Sequence, residues 1–451
     1  MIHTFSYKHK NLCYYFLWDI ESGSLHKVDY VAFLCCKDKY KKEMNSQEKA
    51  DFLAIPDADK QEIFAELEEL ENSGALNEKP QLDVFYKRAG DLKALCLHIC
   101  HDCNLSCDYC FAGGGNYHTA NDYMSLEVGK HAIDFLIANS GVKRNLEVDF
   151  FGGEPLLNMQ VVKDIVAYAR VREKEANKKF LFTMTTNCLM LNKENIDFLN
   201  EEMDNVVLSI DGRKAVHNAV RHAKNGKDVY DYILQNALDF RAVRGDKRYY
   251  VRGTFTGKNL DFAEDIFALN DLGFDQISVE PVVLPDDHKL AIPDDALERI
   301  CEEYDKLAEG YIERRKGKKW FNFFHFMLDL EHGPCINKRL TGCGAGTEYL
   351  AVSPLGDLYP CHQFVGEKEY YVGNVFEGIK HQEVRERFSK LTVLCKEHCT
   401  DCPAKYYCGG GCAANALHFT GKLDGQYKMG CELTRKRLEC SLAINAIERE
   451  D

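Results

Sequence analysis

No run of eighteen apolar residues occurs anywhere in these 451, so no segment reads as a membrane-crossing helix. The first ten residues, Met1 to Lys10, lack the apolar core of a signal peptide. Basic residues are in deficit: 57 Lys and Arg face 71 Asp and Glu, a net charge of −14. Such a surface repels a phosphate backbone, and no basic run interleaved with aromatics offsets it, so neither nucleic acid nor membrane is expected as a partner. A cytoplasmic protein is expected. In that reducing compartment disulfides are rare, so twenty cysteines point to metal or redox chemistry.

Three of those cysteines lie together in His101-Asp102-Cys103-Asn104-Leu105-Ser106-Cys107-Asp108-Tyr109-Cys110-Phe111, spaced C-x3-C-x2-C. An electron-transfer [4Fe–4S] cube takes four thiolates. Three hold three irons and leave the fourth for another ligand. Cys100 offers a different reading, because CxxC-x3-CxxC could be a four-thiolate zinc site. Against it, Cys100 ends the apolar run Leu95-Cys96-Leu97-His98-Ile99-Cys100, where a cysteine serves as a small buried hydrophobe.

Length suggests two to four domains. In residues 1–90, Tyr14–Ile20 and Leu25–Val28 read as a hairpin, and helices are expected over 29–36 and 60–73, the latter stopped at Gly74. Tyr14 to Trp18 is taken as an edge strand. Residues 91–330 alternate strand and helix. Strands are expected at 93–99, 146–151, 179–185, 206–210, 249–255 and 276–283, with a helix in each interval. Six such units imply parallel strands and crossover helices, a partial (β/α)6 TIM-type barrel. Residues 331–451 read as a loop-rich segment wrapped around metal.

Each barrel strand ends in a polar or glycine motif: the cysteine loop, Gly152-Gly153-Glu154-Pro155, Thr185-Thr186-Asn187, Ser209-Ile210-Asp211-Gly212, Arg252, and Glu280-Pro281. Parallel strands put these ends on one face, where barrel enzymes build active sites. Downstream, Cys343 is followed by Gly356 and Cys361, then by Cys399-x2-Cys402-x5-Cys408-x3-Cys412 and Cys431.

The cysteine loop followed by Gly-Gly-Glu-Pro resembles the radical S-adenosylmethionine (SAM) enzymes, and the seven later cysteines resemble the SPASM auxiliary-cluster domain. The resemblance spans residues 93–440. It implies that Cys103, Cys107 and Cys110 hold a cube whose open iron chelates SAM. It implies SAM contacts from Tyr109 near the adenine, from Gly152, Gly153 and Glu154 at the ammonium group, from Asn187 and Ser209, and from Arg221 at the carboxylate. Cys399, Cys402, Cys408 and Cys431 would hold a second cube, and Cys343, Cys361 and Cys412 a third. The fourth ligand of that third cube is either Cys335 or a substrate thiolate on an open iron. Three [4Fe–4S] clusters and SAM are thus the cofactors implied.

Residues 1–90 resemble, by position, the winged-helix-like reader of precursor peptides, with a plain cap on the barrel as the alternative. The whole resembles maturases that install a cysteine thioether cross-link in a ribosomally synthesised, cysteine-rich peptide. Such an enzyme takes a precursor peptide with a leader, and an electron donor such as ferredoxin or flavodoxin. The competing resemblance is to sulfatase maturases, which oxidise a protein cysteine or serine to formylglycine.

Overall fold

The structure is a computed structural model describing residues 1–77, 90–330, 332–333 and 336–450. Cys335 lies outside them.

The chain opens with a three-stranded antiparallel sheet, β1 (Ile2–His9), β2 (Leu12–Asp19) and β3 (Ser24–Val28), in that spatial order. The side-chain period of two splits β2 between two cores. Leu17 faces inward with Ile2, Cys36, Leu67 and Leu76, while Phe16 and Trp18 join the main core of the molecule. Three helices follow: α1 (Tyr30–Lys39), α2 (Ser46–Ala54) and α3 (Asp57–Asn72). Asp29 caps α1 by accepting from the Ala32 amide, and Asn45 and Glu48 form a reciprocal box at the start of α2. Two expectations are corrected here. β1, with its mixed polar pattern, is a strand beyond those expected. Tyr14 to Trp18 is not an edge strand, because β2 pairs with β1 on one side and β3 on the other.

The barrel strands are β4 (Ala94–Cys100), β5 (Asn145–Gly152), β6 (Lys179–Thr186), β7 (Asn205–Ser209), β8 (Arg248–Phe255) and β9 (Gln276–Pro281). They lie side by side in sequence order, all parallel. Alternation sorts their two faces. Leu146, Val148 and Phe150, or Phe180, Phe182 and Met184, are buried, while their neighbours Phe151 and Thr185 line the interior. The expected partial barrel is therefore present. The sheet also runs past it: Tyr349–Val352 pairs in parallel with β4, and Asp357–Tyr359 continues antiparallel. The C-terminal segment is thus zipped onto the first barrel strand.

That segment is less loop-like than its glycines and cysteines suggest. It ends in a 21-residue helix, Lys428–Glu448, packed along Leu297–Arg315 on the barrel exterior. Leu433, Leu438, Leu442 and Ile447 form its buried stripe. Among the described residues no helix is long and apolar enough to cross a membrane.

Candidate functional site

One cavity of about 1400 Å3 opens at the C-terminal ends of the barrel strands, between the barrel and the C-terminal segment. Its wall carries Cys103, Cys107 and Cys110, all seven downstream cysteines, and each of Tyr109, Gly152, Gly153, Glu154, Asn187, Ser209 and Arg221. Residues more than 300 positions apart thus share one chamber.

The cysteine loop is fixed from two sides. Leu105–Cys107 pairs antiparallel with Arg221–Ala223, setting Cys107 opposite Arg221. From the other side, the Glu154 amide donates to the Asp102 carbonyl at 2.8 Å and the Gly153 amide to the Cys100 carbonyl at 2.9 Å. Gly153 must be glycine: a Cβ there would lie 2.0 Å from the Asp102 carbonyl oxygen. The glycine pair therefore seats the loop as well as facing the cavity. Cys100 is fully buried, and its thiol donates to the Glu154 carbonyl at 3.1 Å and the Asp102 carbonyl at 3.3 Å. It does not line the chamber, so the four-thiolate zinc reading of this loop fails.

Glu154 accepts from the Asn187 amide (2.7 Å), the Thr186 hydroxyl (2.8 Å) and the Leu156 amide (3.1 Å). Burial outweighs these bonds and raises its carboxyl to about 7. The Asn187 side chain donates to Asn104 at 2.7 Å, beside the Cys103 sulfur. Arg221, implied for the SAM carboxylate, is paired with Asp211 at 2.9 and 3.3 Å, and the Tyr109 hydroxyl donates to the same carboxylate at 2.7 Å. The guanidinium also lies over the Tyr109 ring, 5.4 Å from its centroid. Asp211 is thus the organiser of this corner, a role its place in Ser209-Ile210-Asp211-Gly212 signalled only by position. Behind it, buried His217 accepts from the Asp211 amide at 3.4 Å, and burial lowers its imidazole to about 4.

The thiols fall into three electrostatically coupled sets: Cys103 with Cys107 and Cys110; Cys343 with Cys361 and Cys412; Cys399 with Cys402, Cys408 and Cys431. Cys412 joins the set of Cys343 although Cys408 is nearer in sequence. The turns carrying the two later sets touch, since a Cβ on Gly409 (φ +66) would lie 2.4 Å from the Gly342 nitrogen. Burial pushes Cys103 and Cys361 up to about 12 and Cys107 to about 11, and a bound cation would favour their thiolates. Among the described residues no three Cys, His, Asp or Glu close on a single-ion position. Sets of three and four thiols grouped along one chamber suit iron–sulfur clusters. Of the remaining cysteines, Cys188 and Cys440 are buried, while Cys395, which spacing left out, also lines the chamber.

Residues 92–230 match the family described as a 4Fe-4S single cluster domain, and residues 343–403 match SPASM, an iron–sulfur cluster-binding domain. The chain is 22% identical over 381 residues to the radical SAM cyclopropyl synthase TigE of Paramaledivibacter caminithermalis, covering 80% of this chain and 75% of that one. In both matched regions and in this relative, the chain is similar to radical SAM/SPASM proteins. It is also 25% identical over 344 residues to a cysteine-type anaerobic sulfatase-maturating enzyme of Clostridium perfringens, covering 69% of this chain and 85% of that one. The fold superposes on SuiB of Streptococcus suis, solved bound to its precursor peptide SuiA, with TM-score 0.51 and 16% identity, covering 92% of this chain and 96% of that one. The chain therefore pairs a partial barrel that matches a 4Fe-4S single cluster domain with a C-terminal segment that matches an iron–sulfur cluster-binding domain.

Proposed function

We propose that this enzyme installs a cysteine thioether cross-link in a ribosomally synthesised precursor peptide and carries three [4Fe–4S] clusters, one per thiol set. The carrying observation is the single chamber, where the loop thiols and both later sets face one space large enough for a peptide segment beside SAM. When bound, the reduced cluster and SAM supply a hydrogen-abstracting carbon radical and, with the auxiliary clusters, an acceptor for the electron left behind. The chain's residues do the rest. Gly153 and the Arg221–Ala223 strand hold the loop in place. Asp211 orients Arg221 and Tyr109. Cys343 and Cys412, on the chamber wall, lie where a substrate sulfur would be held in the same chamber as the loop thiols.

Formylglycine formation, the activity in the name of the Clostridium perfringens relative, is the second reading. Coverage favours the first. The superposition on SuiB takes in 92% of this chain, more than the four-fifths lying beyond residue 90, so it includes part of the N-terminal sheet-and-helix unit. That unit would read the leader of the peptide. A free strand edge accepts an added strand; of the two edges, β1 lies against Leu297–Arg315 and Lys428–Glu448, through Tyr7 on Asp305, Lys10 on Glu309 and His3 on Glu439, and β3 is the edge proposed to take the leader.

The deciding experiment incubates reduced, reconstituted enzyme with SAM and a short cysteine-rich peptide encoded beside its gene. Thioether formation removes one S–H and one C–H hydrogen, so the product should be about 2 mass units lighter per link. A product carrying an aldehyde in place of the thiol would establish the second reading instead.

A further inference from the structure

Two guanidinium groups face one carboxylate at the mouth of the barrel. Arg252 stands on β8, exposed to the chamber, in register between Ser209 of β7 and Ser278 of β9. Glu280, at the end of β9, has Oε1 3.0 Å from His325 Nε2 and Oε2 3.7 Å from Arg437 Nη2. Arg437 otherwise touches neutral groups, the Tyr304 hydroxyl at 2.8 Å and His325 Nδ1 at 3.3 Å, and its Nη2 has no hydrogen-bond partner. Burial raises the Glu280 carboxyl, but His325, Arg437 and Arg252 outweigh it and hold the group well below the usual carboxylate range. Burial and Arg437 hold His325 below its ordinary value, toward the neutral form.

The charges do not balance. Two permanent cations, Arg252 and Arg437, oppose one anion, Glu280, in a chamber only partly open to water. No carboxylate lies within ion-pair distance of Arg252 among the described residues. A guanidinium is a planar fork suited to a carboxylate. Position separates this cation from the SAM corner. Arg221 acts electrostatically on Cys107 and Glu154. Arg252 acts on Glu280, on His325 and on His362, the neighbour of Cys361. It therefore faces the space between the barrel and the Cys343–Cys361–Cys412 set.

We propose that Arg252, backed by Arg437, is an anion subsite that takes a carboxylate of the substrate peptide, from an acidic side chain or from the C-terminus. It rests on the peptide-modifying reading above. The subsite fixes which stretch of peptide lies over the barrel mouth and so selects the residue that reacts.

The test uses reconstituted, SAM-loaded full-length enzyme and three short fluorescein-labelled Gly/Ser peptides, each with one Cys. One carries a nearby Asp with an amidated C-terminus, one Asn in its place, and one Asn with a free C-terminal carboxylate. In fluorescence anisotropy, one of the two carboxylate peptides should bind about fivefold more tightly than the blocked Asn peptide, and which one it is identifies the source. Arg252→Gln should erase the preference. Arg252→Lys should keep part of it, which a folding defect would not. Equal binding of all three peptides to the wild type overturns the subsite and leaves the peptide reading standing. A preference that survives Arg252→Gln also overturns it, as does a preference that survives while SAM affinity falls, which would assign Arg252 to the SAM carboxylate. If no peptide binds the wild type, the subsite fails, while the peptide reading, which places recognition in the leader, is decided by the mass measurement above.

Discussion

Glu21 and Lys405, 384 residues apart, form a buried ion pair at 2.6 Å with 2% and 5% of their side chains exposed. Glu21 also accepts from the Tyr406 hydroxyl at 2.7 Å, and Lys405 donates to the Thr400 carbonyl at 3.1 Å. The turn between β2 and β3 is thereby locked to the segment carrying Cys399, Cys402 and Cys408. Removing one partner of a buried pair leaves the other charge uncompensated. Glu21→Ala should therefore cost about 3–5 kcal/mol in chemical denaturation, and the double variant Glu21→Ala/Lys405→Met much less. Equal losses in the single and double variants would show that the charge pairing is not what matters.

Gly153→Val should lose cluster iron rather than only weaken SAM binding, because its side chain would drive into the Asp102 backbone and unseat the loop. The expected loss is about 4 irons of roughly 12 per chain, the same as in the Cys103/Cys107/Cys110 triple alanine variant. Neither variant should cleave SAM. Full iron content with lost SAM binding in Gly153→Val would return the glycine to a purely ligand-facing role.

Removing residues 1–90 is a poor test of peptide reading, because it would uncover the core around Phe16 and Trp18 and break the Glu21 clasp. Hydrogen exchange is cleaner. A leader peptide added as a fourth strand should slow exchange in Ser24–Val28 and leave Ile2–His9 unchanged. Unchanged exchange in Ser24–Val28 at saturating peptide would argue against strand addition.

Cys343, Cys361 and Cys412 are three thiols, one fewer than a fully protein-held cube takes. If a substrate thiolate completes it, Cys335→Ala should leave iron content and product nearly unchanged, while Cys361→Ala should stop thioether formation with SAM cleavage persisting. Coordination would ionise the substrate thiol and hold it for the carbon centre. Loss of that cluster's iron in Cys335→Ala would make Cys335 the fourth ligand.

His217 sets a pH limit. Its imidazole titrates near 4 in the folded protein, because burial disfavours the cation, against an ordinary 6.5. A lowered base binds fewer protons when folded, so its stability contribution is full above pH 6.5 and falls as pH drops toward 4. By pH 5 the loss should be about 2 kcal/mol. Denaturant midpoints of wild type and His217→Gln at pH 7 and pH 5 should converge at the lower pH. Parallel shifts in both proteins would place the pH sensitivity elsewhere.

Local pattern was enough for much of this protein. The six barrel strands follow from alternating runs such as Leu146 to Phe151. The crossover helices follow from their periodicity, and the candidate ligands were picked out by cysteine spacing and by resemblance. Those signals survive in one dimension because strand period, helix period and ligand spacing are all local. The last helix escaped because its cysteine and glycine, Cys431 and Gly430, read as a metal loop, while its apolar stripe shows only against Leu297–Arg315. The central place of β2 depended on β1, whose polar alternation is weak. Only the folded chain decided that Asp211 holds Arg221, that Arg252 faces Glu280 with charge to spare, and that Glu21 meets Lys405. Each is a pairing between strand ends or turns far apart in sequence. Such contacts are fixed by sheet order and by the closing of the C-terminal segment onto β4, and no local spacing encodes them.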